Sequence, residues 1–67
     1  MEELLDEDDV MIFNLIKDNR MLSYSEINKK VSLPKNKVLF SLNKLISLNL
    51  IVRIKYNNKV LFKEKEK

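Results

Sequence analysis

The stretch from Leu22 to Ile51, LSYSEINKKVSLPKNKVLFSLNKLISLNLI, decides how this chain folds. Ser23 and Glu26 stand in an S-x-x-E capping box, in which the serine oxygen and the glutamate carboxylate each accept from an N–H group left unpaired at a helix start. Tyr24, Ile27 and Val31 then share one face of that helix. Ser32-Leu33-Pro34 ends it, because proline drives the residue before it out of the α region and fits only in the first turn of a new helix. The second helix carries Val38, Leu42 and Leu45 on its inner stripe. Asn49 stands at its end, where a left-handed backbone is needed and asparagine substitutes for glycine. A hydrophobic strand begins directly after it. Two helices joined by a tight turn in this way form a helix-turn-helix, a motif that points toward nucleic acid.

Outward from this centre, residues 1–67 read as a single domain. Upstream, a helix is predicted from Asp6 or Glu7 to Asn19. Its acids suit the positive end of the helix dipole, and Lys17 and Arg20 lie near the negative end. Ile12, Leu15 and Ile16 form its inner face, widened by Val10, Met11 and Phe13. Met21-Leu22 supplies a short strand. Downstream, Leu50 to Tyr56 and Lys59 to Lys63 read as a hairpin around Asn57-Asn58, since asparagine tolerates the positive φ of tight turns. A two-residue turn would place Val52, Ile54 and Leu61 on one face and strand Val60 and Phe62 on the other. A three-residue loop, Asn57-Asn58-Lys59, gathers Val52, Ile54, Tyr56, Val60 and Phe62 on the core side and turns Arg53, Lys55, Leu61 and Lys63 outward. The longer loop is expected, because it buries more apolar surface and a one-residue slip inverts every side chain. Residues 1–5 and 64–67 are expected to fray as tails, the latter because Glu64 to Lys67 hold no apolar anchor. The fold class is mainly α with a small β-hairpin: three helices plus a C-terminal two-stranded wing, a winged helix-turn-helix.

Composition narrows the function. A chain of 67 residues has room for one core and none for a cleft between two lobes, and its 45% hydrophobic content favours folding over disorder. It has no Cys and no His, so it lacks thiolate chemistry, the commonest general base and the commonest metal ligand. There is no glycine-rich phosphate loop and no serine beside a base. An enzyme is not expected, nor a cofactor, and no small-molecule ligand is evident. No apolar run reaches the length of a membrane span and the acidic start is no signal peptide, so a cytoplasmic, intracellular location is expected. Gly, Ala, Thr, Gln and Trp are also absent, a bias of AT-rich coding.

The net charge of +3 hides an asymmetry. Residues 1–9 hold six acids and no base, a net −6; residues 10–67 hold all 13 bases against four acids, a net +9. A basic body suits a polyanion partner. A lysine-rich solvated surface is the plainer explanation, and the motif must decide between them. The acids of the leader are read as capping and dipole partners, with no metal site.

From Leu5 to Ile51 the chain resembles the N-terminal DNA-binding domain of the Lrp/AsnC regulators and, more loosely, regulators of the MarR and ArsR type. The resemblance is carried by LDEDDVMIFNLI (residues 5–16), LSYSEINKKVSLP (22–34) and VLFSLNKLISLNLI (38–51). The effector-binding domain of Lrp/AsnC proteins has no counterpart here, so the resemblance implies no amino-acid sensing. The basic hairpin with its Asn-Asn tip is closer to MarR-type wings. Those families commonly carry small or basic residues where this chain has Leu39-Phe40.

The resemblance implies that the third helix enters the major groove of double-stranded DNA. With Val38, Leu42 and Leu45 inward, helical projection turns Asn36, Lys37, Phe40, Asn43, Lys44 and Ser47 outward. Asparagine pairs bidentately with adenine, and lysine donates to guanine or to phosphate. Lys35 and the N–H groups near Ser23 to Ser25 are placed for phosphate. The wing offers Arg53, Lys55, Asn57, Asn58 and Lys59, with Lys63 also able to guard an exposed strand edge. Phe40 interrupts the polar face, where an exposed aromatic asks for a partner: a thymine methyl, an unpaired base, or another protein. The sequence therefore favours a small DNA-binding transcriptional regulator, and a homodimer joined through Leu4-Leu5 or through Leu39 and Ile46 is expected. The competing reading is a winged-helix protein–protein interaction module that uses Leu39 and Phe40.

Overall fold

The computed structural model describes residues 5–66. Its elements run α1 (Glu7–Asn19), β1 (Met21–Ser23), α2 (Tyr24–Lys30), α3 (Lys35–Ser47), β2 (Ile51–Tyr56) and β3 (Lys59–Glu64). The strands form one antiparallel sheet in the order β1-β3-β2. This is the winged helix-turn-helix expected from the sequence.

Local chemistry places each boundary. Asp6 caps α1: its carboxylate accepts from the Asp9 N–H at 2.9 Å, and the Asp9 carboxylate accepts from the Asp6 N–H at 3.0 Å. The same reciprocal box starts α2, with Ser23 and Glu26 in the two roles. Pro34, at φ −60°, is the N-cap of α3, and its carbonyl accepts from the N–H groups of Lys37 and Val38. At the far end of α3, Asn49 takes φ 61°. There the Leu50 N–H bonds the Leu45 carbonyl and the Asn49 N–H bonds that of Ile46, the paired closure of a Schellman motif. That closure turns the chain directly into β2.

The core joins Ile12 and Ile16 of α1, Leu22 of β1, Ile27 of α2 and Val31 just after it, Val38, Leu42 and Leu45 of α3, Ile51 of β2, and Phe62 of β3. Each such side chain contributes roughly 1.5–3 kcal/mol when taken out of water. Leu15, Phe13 and Tyr24 pack partly against this cluster. Val10 and Met11 do not widen the inner face of α1, being 42% exposed. The buried stripe of that helix instead continues one turn up from Ile12 to Asp9.

The hairpin register differs from the expected one. Asn57 and Asn58 have φ of 50° and 64°, and Tyr56 pairs with Lys59, so the turn has two residues. Two successive positive-φ residues give a turn whose twist matches that of the strands, and asparagine accepts both. Ile51 and Phe62 therefore face the core with Leu22, while Val52, Ile54 and Leu61 lie on the other face of the sheet. Turn geometry outweighs the extra apolar burial of the longer loop, since Ile54 and Leu61 already cover each other across the strands.

The tails differ as well. Leu5 packs partly against the core. β3 runs to Glu64, and the Lys65 N–H bonds the Leu50 carbonyl at 3.0 Å. Main-chain pairing anchors this end without apolar side chains. Residues 1–4 and 67 lie outside the described residues, and with them Leu4 of the expected dimer contact.

The register is testable. Asn58→Gly is expected to hold or raise the thermal midpoint, whereas Asn58→Val lowers stability by about 1–2 kcal/mol. A three-residue loop would reverse the pattern, with Asn58→Val tolerated and Lys59→Gly stabilising.

Candidate nucleic-acid interface

The outward face of α3 begins with Lys35 and Asn36, both exposed, and continues through Leu39, Phe40, Asn43 and Ser47. Asn36, Phe40, Asn43 and Ser47 follow one another at steps of four, three and four, so they form a single stripe opposite the core residues Val38, Leu42 and Leu45. Phe40 is 60% exposed in the middle of it.

Lys37 and Lys44 do not join this stripe as free cations. They flank it on the side facing α1, and both are held by the acids that start that helix. The Lys37 ammonium donates to Asp6 at 2.8 Å and lies 3.9 Å from Asp8. The Lys44 ammonium donates to Asp9 at 2.6 Å. Asp9 is fully buried, and it also accepts from the Ser41 hydroxyl and the Asp6 N–H. Phe40 stands between the two lysines, whose ammonium groups lie 5.8 and 5.1 Å from its ring centre. Cation–π attraction of this kind holds an exposed ring in place.

These contacts set the protonation of the acids. The Lys37 ammonium and the Asp9 N–H hold the Asp6 carboxyl at about 2, and the same pair raises Lys37 above its ordinary value. For Asp9, burial pushes upward, but hydrogen bonds from Lys44, Ser41 and the Asp6 N–H outweigh it and leave the carboxyl lowered. Asp6 and Asp9 thus cap α1, as expected, and also tie it to α3. Ser41, Asp6 and Asp9 were not expected to act together. Spacing puts Asp9, Ile12 and Ile16 on one stripe of α1 and Ser41 and Lys44 on one flank of α3, but it does not bring the two together.

The wing carries the other candidates. Arg53 and Lys55 lie on the face that Phe62 shares, with Val60 across from Lys55; Lys59 lies on the opposite face, beside Leu61 and Lys63. Arg53, Lys55, Asn57, Asn58 and Lys59 are all exposed, and Lys63 is half-buried. Lys59 and Val60 also line a shallow depression with Ser23, Tyr24 and Ser25, bringing the start of α2 beside the base of the wing turn. The Ser23 N–H is already bonded to Glu26 and the Glu26 N–H to Ser23, so only part of that helix start is open to a ligand. Arg20, at the end of α1, adopts φ 67° and ψ −58°, a strained conformation for a residue with a Cβ. It lines a second depression with Lys17, Met21 and Lys63.

Beyond these surfaces, the described residues place no three His, Cys, Asp or Glu side chains where they could hold a metal ion. No helix among them is long and apolar enough to cross a membrane.

No protein-family model matches the chain, and no curated protein sequence matches it. Solved structures do. A DNA-binding protein from Sulfolobus islandicus aligns with a TM-score of 0.80 and 19% identity, over 94% of this chain and all of that one. The reduced form of MarR from E. coli aligns with a TM-score of 0.84 and 19% identity, over 91% of this chain and 47% of that one. A mutant MarR complexed with operator DNA gives a TM-score of 0.82 at 19% identity, over 91% of this chain and 46% of the other. This chain therefore spans just under half the length of MarR. At this identity the likeness establishes the winged helix-turn-helix fold, and it does not single out Lrp/AsnC regulators.

Removing Lys44 strands the Asp9 carboxylate in the core. Lys44→Met is expected to cost about 3 kcal/mol, the low end for a broken buried pair because Lys44 keeps 24% of its side chain exposed. That is a large part of the roughly 3–10 kcal/mol expected for a domain of this length. Asp9→Leu combined with Lys44→Met should recover most of the loss in a urea titration. If the single change costs nothing, the buried pair does not organise the helix packing.

The same contacts fix the acid limit of stability. Folding lowers the Asp6 and Asp9 carboxyls below their ordinary 3.8, so their contribution is complete above that pH and is lost as the pH falls toward about 2. Lys37, raised from 10.5, loses its contribution only as pH climbs through the raised value. Urea midpoints measured across pH 5 to 2 should fall steeply, and Asp6→Asn should flatten part of that fall.

Proposed function

We propose that this protein binds double-stranded DNA sequence-specifically, as a small intracellular transcriptional regulator without a cofactor. The observation that carries this reading is the position of α3 beside a basic wing, in a fold shared with a DNA-binding protein and with MarR in complex with operator DNA. The exposed stripe of α3 is the part offered to the major groove. Lys35, Arg53, Lys55 and Lys59 are the cations offered to phosphate, with Asn57 and Asn58 at the wing tip. Lys37 and Lys44 enter the proposal as positioning residues, since their ammonium groups hold α3 against α1.

A single domain makes few base contacts, and regulators of this shape pair on two half-sites. A homodimer belongs to the proposal for that reason. Of the surfaces expected to join it, Leu5 and Ile46 pack against the chain's own core, and Leu39 stays 40% exposed. The exposure of Leu39 and Phe40 also favours one competing reading, a module that docks on another protein.

Anisotropy with random-sequence duplex DNA at several salt concentrations separates the two. DNA binding predicts dissociation constants of roughly 10⁻⁴–10⁻⁶ M at physiological salt and a steep negative log–log slope. Changing Lys35, Lys55 and Lys59 to Ala should each shallow that slope by about 0.9. An absence of binding even at low salt would sink the DNA reading and leave Phe40 as the bait for a protein partner.

A further inference from the structure

The way α3 is held says which bases it can read. Resting on the DNA-binding reading above, we propose that α3 selects A·T base pairs, with Asn36 and Asn43 pairing with adenines and Phe40 packing on a thymine methyl group. Guanine is read in the major groove chiefly by Arg or Lys donating to O6 and N7. α3 has no arginine, and two of its three lysines, Lys37 and Lys44, are bonded to Asp6 and Asp9. Swinging Lys44 toward a base would leave the buried Asp9 carboxylate without its cation. Lys35 is the third, and it stands at the start of the helix on the flank of Leu39 and Ile46, off the central stripe.

What the stripe does present is Asn36, Phe40 and Asn43, all exposed. An asparagine amide offers one donor and one acceptor, the complement of adenine N7 and the N6 amino group. The thymine C5-methyl is the apolar group displayed in the major groove, and Phe40 is the apolar side chain centred on the stripe. Lys37 and Lys44, with ammonium groups 5.8 and 5.1 Å from its ring centre, hold it there. Asn36 and Asn43 lie two turns apart, roughly 10 Å along the helix, or about three base-pair steps of 3.4 Å. The preferred site should therefore hold two adenines about three base pairs apart, with a thymine methyl between them.

The test begins with selection of binding sites from a random duplex library by the full chain. The selected duplex is then remade with deoxyuridine for thymine, which removes only the methyl, and separately with 7-deazaadenine, which removes the N7 acceptor. Deoxyuridine should weaken binding roughly fourfold, the worth of one buried methyl, and should leave Phe40→Ala indifferent. The deaza change at one adenine should weaken binding roughly tenfold and lose its effect only in the variant, Asn36→Ala or Asn43→Ala, that lacks the asparagine reading that base. Enrichment of G·C at these positions, or equal deoxyuridine sensitivity in Phe40→Ala, overturns the inference. Equal, salt-dependent binding of every duplex overturns the inference and the sequence-specific part of the reading it rests on, while duplex binding itself stands. Failure to bind any duplex removes both.

Discussion

A carboxylate buried between two helices organises this molecule. Asp9 has no exposed surface, yet it remains charged because Lys44, Ser41 and the Asp6 N–H all bond to it. Taking a carboxylate out of water costs several kcal/mol, and only a full set of partners offsets that cost. Two of these partners, Ser41 and Lys44, come from α3, so α1 is satisfied in one rotation and one axial position against it. A rotation of α1 by one residue would bring Val10 to the buried position and leave Lys44 facing solvent. Asp6 and Lys37 form a second, more exposed ion pair between the starts of the same two helices. The apolar core supplies most of the driving force, but it is indifferent to small slips. The charged contacts are not.

That arrangement redistributes the charge of the chain. The basic body seen in composition is not uniformly available to a polyanion, because the acidic start of α1 consumes two of its lysines at the surface where a ligand would approach. Exposed cations remain at Lys35, along the wing on both of its faces, and at the ends of α1 and α2 (Lys17, Arg20, Lys29 and Lys30). The outer face of the sheet adds Val52, Ile54 and Leu61, a cross-strand apolar cluster that owes its position to the two-residue turn.

Nearly every element was legible, because each is bounded by a local signal. The Ser23–Glu26 box, Pro34 and Asn49 act within a few residues of themselves, and no distant partner can overrule them. The hairpin register was not legible, because Asn57-Asn58 suits more than one loop and counting apolar residues rewards the wrong one. Burial is a poor guide in a wing that has no helix over its outer face. The Asp9 network lay further out of reach. A carboxylate in a first turn reads as a cap whether or not a lysine thirty-five positions later folds over it. The projection of α3 placed Lys37 and Lys44 on its outer half, where they are, but could not show that α1 brings acids to that same flank.

The consequence is a division of labour between the two exposed elements. On the proposed reading, the wing and Lys35 supply charge, which attracts any duplex and weakens with salt. The central stripe of α3 supplies amides and one aromatic ring, which contribute little to attraction at a distance and act only when the bases fit. Had Lys37 and Lys44 been free, the recognition helix would bind the phosphates of every sequence alike and blur the difference between right and wrong sites. Neutralising them from within lowers non-specific affinity and leaves discrimination to groups with directional hydrogen bonds. On that reading Asp6 and Asp9 belong to the recognition surface without touching the ligand, since they decide which side chains of α3 are left to read.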